Sequence, residues 1–368
     1  MIKVLSVFGT RPEAIKMAPV IRELARHPDA FCSRVCVTAQ HRQMLDQVLE
    51  LFGIVPDHDL DIMQENQSPP HVIGEVLRRL EPVLVAEQPD WVLVQGDTTT
   101  VMATALLAFH HRIRLGHVEA GLRTWDRSQP FPEEVNRKVA DAVADLYFAP
   151  TELARRNLLR EAVEPERIRV TGNTVIDALL DVAAREYDWG CGPLAALPKD
   201  RRLILVTAHR RENFGAPLQE ICAALRDLAE RYRGEIHLVY PVHPNPNVRE
   251  PVTALLGDVL NISLMEPLDY LPLVHLLKRC VLALTDSGGL QEEAPSLKVP
   301  VLVMRNTTER PEAIEAGVAR LVGTDRATIV RETSRLLEDE AERQRMTLGA
   351  NPFGDGRAAG RIVEALRP

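Results

Sequence analysis

Short apolar, β-branched runs alternate with amphipathic stretches along this chain, and that alternation constrains the fold more than any other feature. Strand-like runs occupy residues 3–8, 35–38, 91–94, 115–118, 146–148 and 168–171, then 203–207, 236–240, 281–285 and 299–304. Helix-like stretches such as 15–25, 43–51, 73–87 and 217–231 lie between them. Strands that are apolar along their whole length are buried on both faces. Alternation with helices supplies the covering layers, so an α/β fold with parallel sheets is expected. The 368 residues exceed what one hydrophobic core holds, which argues for two domains. The alternation pauses between Asn173 and Arg202, where Gly190, Gly192, Pro193 and Pro198 read as linker. The expected division is a first domain over 1–172, a linker region over 173–202 and a second domain over 203–355, with a helix-like tail over about 356–368.

The formal net charge is −8, from 44 basic and 52 acidic residues. That balance gives no electrostatic footprint for nucleic acid or an anionic membrane, so neither is an expected partner. An anionic ligand would need a local basic pocket instead. The apolar run that ends at Gly9 is too short for a signal sequence or a membrane span, and no later stretch approaches a span, so a cytoplasmic location is expected. The five cysteines, at 32, 36, 191, 222 and 280, are scattered and read as free thiols. His237 and His243 match no metal-ligand spacing, and no metal is expected.

In open parallel sheets, ligands bind outside the carboxyl ends of the strands. The first half carries Arg11 and Glu13, Gln40 and Gln43, Gly96-Asp97 and Glu119 directly after its strand-like runs. The second half carries His209-Arg210-Arg211, His243, Asp286-Ser287-Gly288-Gly289, Arg305 and Arg310. Carboxylates thus gather in the first half, and basic or glycine-rich loops in the second. Two such domains would enclose acid–base groups together with an anion site. Ser287-Gly288-Gly289 opens a helix-like stretch, where backbone N–H groups favour phosphate; a plain Ser or Asp cap is the simpler alternative. Pro132-Glu133-Glu134 reads as a helix start, with the acids set against the helix dipole. Neither a P-loop nor a GxGxxG fingerprint is present, which removes the usual nucleotide and dinucleotide readings.

Nine strings occur in order: GTRPEAIKMAP (9–19), TAQHRQMLDQ (38–47), QGDTTTVMA (95–103), GHVEAGLRT (116–124), FPEEVNR (131–137), TGNTVIDAL (171–179), HRRENFG (209–215), TDSGGLQEEAPS (285–296) and NTTERPEA (306–313). Together they resemble the non-hydrolysing UDP-N-acetylglucosamine 2-epimerases over nearly the whole chain. The resemblance implies two Rossmann-like domains of the GT-B type, an active site in the interdomain cleft, a homodimer, and a C-terminal helix returning to the first domain. It places nucleotide-sugar contacts on Arg11, Lys16, Asp97, Glu119, His209, Ser287, Gly288, Gly289, Glu293 and Arg310. Ser287, the glycine amides and Arg310 would hold the diphosphate, and Glu293 the ribose. Asp97, Glu119 and Glu133 would be the acid–base carboxylates, and His209 would assist the leaving group. Leu268 and Leu273 stand in the uridine region where some members carry a polar and an aromatic residue. Gln40, Gln43, Arg210 and His243 match parts of a regulatory site that binds a second UDP-N-acetylglucosamine in certain relatives. Asn66 replaces a basic residue of that site.

The reaction so implied removes the C2 proton while UDP leaves C1, giving 2-acetamidoglucal, then returns a proton to the opposite face and re-adds UDP. It calls for no cofactor. Two alternatives share parts of this pattern: a hydrolysing epimerase that releases UDP and N-acetylmannosamine, and a GT-B-type glycosyltransferase.

Overall fold

The computed structural model describes residues 1–39, 42–64 and 67–367. Gln40, Asn66 and the side chain of Gln43 lie outside the described residues. The chain forms two compact units, one of Met1–Ala178 with the tail from Phe353, the other of Leu179–Pro352. The stretch read from sequence as linker, 173–202, begins with the helix Thr174–Ala183 and carries a 3-10 turn at Gly192–Leu194, with irregular chain over most of the rest.

The first unit holds a seven-stranded sheet of β1 (Ile2–Phe8), β2 (Phe31–Val37), β3 (His58–Asp59), β4 (Trp91–Gln95), β5 (Arg114–Val118), β6 (Leu146–Ala149) and β7 (Ile168–Val170). All pairs are parallel and the order is β3-β2-β1-β4-β5-β6-β7. The second unit holds β8 (Arg202–Thr207), β9 (Ile236–Pro241), β10 (Ile262–Met265), β11 (Cys280–Thr285), β12 (Val301–Val303) and β13 (Ala319–Leu321). Its parallel order, β10-β9-β8-β11-β12-β13, repeats the same winding. Each sheet is therefore doubly wound, and strand order reverses between β1 and β4 in one and between β8 and β11 in the other. Ligand crevices of such sheets open at those switch points.

Burial explains which strands the sequence displayed. β4 is buried at every residue, as is most of β8, β9 and β11. The strands without a clear sequence signal, β3, β10 and β13, all sit at sheet edges and are short and half-buried. An edge strand is covered incompletely, so its sequence need not be apolar throughout. Around the first sheet the core includes Leu5, Val7, Val92, Val94 and Leu115 with Val76, Leu80 and Leu84 of the helix Pro69–Glu87. Around the second it includes Ile204, Val206, Leu238 and Leu284 with Ile221, Leu225 and Leu228 of the helix Ala216–Arg231.

Two glycines shape the loops at the end of the first sheet. A Cβ on Gly9 would stand 1.9 Å from Thr38 Oγ1, so any side chain there would have to displace the buried Thr38 hydroxyl. Gly121, after β5, has φ +84°, and a Cβ there would meet the Ala154 carbonyl oxygen at 2.4 Å and Leu158 Cγ at 2.8 Å. Gly121→Ala combines left-handed strain with a backbone clash and is expected to destabilise the protein by about 1–3 kcal/mol. Scanning calorimetry should show a lowered unfolding midpoint; a midpoint equal to the wild type would mean the helix Glu152–Arg160 yields without cost.

Candidate active site

The loops after β1 and β4 meet at the first switch point and are tied by a residue the sequence reading did not single out for a role. Glu13 is 1% exposed. Its Oε2 accepts the backbone N–H of Gly9 (3.0 Å) and Thr10 (2.7 Å), and its Oε1 accepts the Thr98 hydroxyl (2.7 Å). Burial pushes the Glu13 carboxyl above its ordinary value, against those hydrogen bonds. The Thr10-x-x-Glu13 spacing is a capping box at the start of the helix Arg11–Ala25, a signal legible in the sequence.

Glu119 follows β5 with φ +67°, a left-handed conformation that costs a non-glycine residue about 1–2 kcal/mol. Three donors hold its buried carboxylate there: Lys16 Nζ (2.5 Å) and Asn173 Nδ2 (2.7 Å) on Oε1, and Gln95 Nε2 on Oε2. Asp97, after Gly96, forms an ion pair with Arg137 Nη2, and its carbonyl accepts Asn136 Nδ2 (2.9 Å). Both partners lie on the helix Glu133–Val143, which starts with Glu133. Glu133 Oε2 is buried with no hydrogen-bond partner among the described residues. Glu134 does not face the helix dipole alone: it is fully buried and accepts the N–H groups of Thr124 (3.1 Å) and Trp125 (3.0 Å). The structure thus brings Lys16 onto Glu119 and ties Asp97 to the helix that Glu133 begins, with Arg11 opening the helix that carries Lys16.

Behind these loops lies a buried ion pair. His117, on β5, has no exposed surface; its Nδ1 is 2.6 Å from Asp141 Oδ1 and its Nε2 2.7 Å from the Gly96 carbonyl oxygen. Asp141 Oδ2 accepts Arg123 Nη2 (2.6 Å) and the Gly121 N–H (3.3 Å). Burial alone would lower the His117 pKa, but Asp141 and the Gly96 carbonyl outweigh it and the net shift is upward. Burial alone would raise Asp141, and the charges of His117 and Arg123 reverse that.

At the second switch point the same device recurs. Asp286, fully buried after β11, accepts the backbone N–H groups of His209 and Arg210 (2.8 Å each) and Asn213 Nδ2 (3.0 Å) on Oδ2. Asp286 is thereby committed to the loop after β8. Ser287 stands at the cap position of the short helix Gly288–Glu293, but its hydroxyl makes no capping bond, so the plain-cap alternative fails there. Arg210 Nη2 and Arg310 Nη2 lie 3.5 and 3.9 Å from the position a Cβ on Gly288 would take. Arg310 Nε is paired with Glu292. Arg210, matched from sequence to a regulatory site, therefore sits at the Ser287-Gly288 loop. Glu293 Oε1 accepts the Tyr270 hydroxyl (2.8 Å), a partner not foreseen from sequence. Leu268 is buried and Leu273 half-buried on the adjoining segment. His209 stacks on His243, with ring centroids 5.6 Å apart and planes 10° from parallel. Burial holds the His209 imidazole below its ordinary value, with Arg210 and His243 adding to that and Asp286 opposing it. Among the described residues no helix is long and apolar enough to cross a membrane.

Two doubly wound, parallel α/β units, with carboxylates at one switch point and an arginine–glycine loop at the other, define a protein of the GT-B type. A family model described as UDP-N-acetylglucosamine 2-epimerase matches residues 22–367, and the chain belongs to that family. The UDP-N-acetylglucosamine 2-epimerase of Escherichia coli (strain K12) is 57% identical over 371 residues, covering 99% of this chain and 98% of its own length. The crystal structure of UDP-GlcNAc 2-epimerase from Neisseria meningitidis bound to UDP-GlcNAc is similar at 46% identity and a TM-score of 0.90, covering 99% of each chain. That of the Methanocaldococcus jannaschii enzyme in complex with UDP-GlcNAc and UDP is similar at 35% identity and a TM-score of 0.82, again over 99% of each chain.

The pKa directions set a stability window. The raised His117 contributes stability that is complete below its ordinary value and is lost as pH rises through its value in the folded protein. The lowered Asp141 contributes stability that is complete above its ordinary value and is lost as pH falls through its folded value. The stability advantage of the wild type over Asp141→Asn is therefore expected to be greatest between about pH 4 and 6.5 and to shrink on either side. Thermal unfolding of both proteins across pH checks this; a constant difference from acid to alkaline pH would contradict the ion pair.

Proposed function

We propose that the chain interconverts UDP-N-acetylglucosamine and UDP-N-acetylmannosamine without hydrolysis, by elimination of UDP and re-addition to 2-acetamidoglucal. The observation that carries this reading is the unequal state of the carboxylates at the first switch point. Glu119 accepts from three donors, Asp97 is ion-paired, and Glu133 keeps a buried oxygen without a hydrogen-bond partner among the described residues. Inversion at C2 needs a proton taken from one face and another delivered to the opposite face, so a set of non-equivalent carboxylates suits it and one symmetric base does not.

The C2 proton is weakly acidic and can leave only as UDP departs. Charge building on the diphosphate then has to be neutralised in step with proton removal. Ser287, the amides of Gly288 and Gly289, and Arg310 are assigned to that diphosphate, with Arg210 beside them. His209, kept toward its neutral form by burial, can offer a hydrogen bond to the leaving phosphate. Glu293 suits the ribose hydroxyls, Leu268 and Leu273 the uracil surroundings, and Arg11 and Lys16 the sugar side. No step transfers a hydride or requires a metal.

Incubation of the purified protein with UDP-N-acetylglucosamine, followed by proton NMR, is expected to show UDP-N-acetylmannosamine with deuterium at C2 when the solvent is deuterated. Stoichiometric UDP and N-acetylmannosamine would replace this reading with the hydrolysing one. Asp97→Asn, Glu119→Gln and Glu133→Gln are each expected to lower kcat by about 10²–10⁴, measured in the same assay; near-wild-type rates in all three would remove the carboxylates from the chemistry. Arg310→Ala is expected to weaken UDP binding roughly ten- to hundredfold. Calorimetry reporting unchanged affinity would take Arg310 out of the phosphate site.

A further inference from the structure

We propose that His117 is a positioning residue for this reaction: as an imidazolium it bridges the Gly96 carbonyl and Asp141, and so sets the spacing of the three elements that carry Asp97, Glu119 and Glu133. The inference rests on the epimerase reading above and adds to it a residue that touches no substrate.

The geometry points to a doubly protonated ring. A carbonyl oxygen only accepts, so the Nε2 facing Gly96 carries a hydrogen. The Nδ1 faces a carboxylate whose other oxygen is already accepting from Arg123 and Gly121, the arrangement of an ionised aspartate. An ionised Asp141 requires hydrogen on Nδ1 as well. Positive and negative groups then alternate from the buried His117 and Asp141 through Arg123 to the exposed Glu161, with the Tyr147 hydroxyl donating to the Asp141 carbonyl. A buried pair of this kind is a weak source of stability compared with apolar packing, so a second reason for it is reasonable.

That second reason lies in what the pair connects. The Gly96 carbonyl is one residue before Asp97. His117 itself is two residues before Glu119, and the Gly121 amide on Asp141 is two residues after it. Asp141 lies on the helix that begins with Glu133 and holds Asp97 through Asn136 and Arg137. One buried contact therefore joins the loop after β4, the loop after β5 and the helix Glu133–Val143. Glu119 is held in a left-handed conformation between these supports, so release of either side would let its carboxylate move. Displacement of a reacting group by about 1 Å costs on the order of a hundredfold in rate.

The test uses the full chain, with His117→Gln, His117→Asn and Asp141→Asn. Each is expected to lower kcat about a hundredfold, while KM changes little and UDP affinity by calorimetry stays at the wild-type value, because UDP is assigned to residues of the other unit. In the wild type at pH 7, nitrogen-15 NMR of the His117 ring should show hydrogen on both nitrogens. Folded variants with kcat within about threefold of wild type, or losses confined to protein stability, would overturn the positioning role. A wild-type ring with an unprotonated Nδ1 would overturn the imidazolium, and this readout needs no variant to fold. A wild type that does not epimerise at all would instead sink the functional reading; the ring signature distinguishes that failure from a failure of the strut.

Discussion

A carboxylate buried at the switch point of each sheet is the constraint on which the candidate site depends. A parallel sheet ends in loops whose backbone N–H groups have no partner within the sheet, and such groups are costly to bury unsatisfied. Glu13 resolves this in the first unit by accepting the N–H groups of Gly9 and Thr10, and it also accepts the Thr98 hydroxyl. Asp286 resolves it in the second by accepting the N–H groups of His209 and Arg210, and it also accepts the Asn213 side-chain amide. Each carboxylate joins the loop after the central strand to the loop after its neighbour across the reversal. The residues assigned to chemistry, Asp97 beside Thr98 in one unit and His209, Ser287 and Gly288 in the other, are carried on those tied loops.

Rigidity of this kind comes with local cost. Glu119 is in a left-handed conformation and is retained there by Lys16, Gln95 and Asn173, drawn from a helix, a strand end and the segment after β7. Strain that persists because surrounding contacts over-determine it is common where side chains must be aimed. The second unit shows electrostatic crowding in its place. Arg210 and Arg310 converge at Gly288, while Glu292 and Glu309 moderate the charge. Burial and that positive field together keep His209 toward neutrality. An anionic ligand would relieve the crowding, which is the electrostatic sense in which the loop suits a diphosphate.

The α/β architecture and the parallel sheets follow from burial patterns local to each strand, and these are visible in one dimension; the expectation of two units rests instead on chain length and a pause in the alternation. Strands covered on both faces, such as β4, must be apolar throughout, so they stood out; β3, β10 and β13, at the edges, did not. The helix Thr174–Ala183 was concealed within a stretch whose glycines and prolines lie mostly further on, and those residues punctuate a connection without ruling out structure before it. Most of the described positions named from sequence stand on strand-end loops or helix starts, where folds of this type carry ligand-facing groups, whereas Lys16, Leu273 and Glu293 lie further along their helices.

What the sequence alone determined was which residue types stand at the ends of which strands. What only the tertiary structure decided was the state of each. Asp97, Glu119 and Glu133 look alike in the sequence as acidic residues, yet one is ion-paired, one accepts from three donors and one keeps a buried oxygen without a hydrogen-bond partner among the described residues. Those states are set by Arg137, Gln95, Asn173 and Lys16, and Lys16 and Asn173 lie 103 and 54 residues from Glu119. His117 and Asp141, 24 residues apart, become a pair only when β5 and the helix Glu133–Val143 pack together. Strand and helix signals are local and periodic, so they are written along the chain. Hydrogen bonding and protonation depend on partners that folding brings within about 3 Å, and no spacing in the sequence encodes that distance.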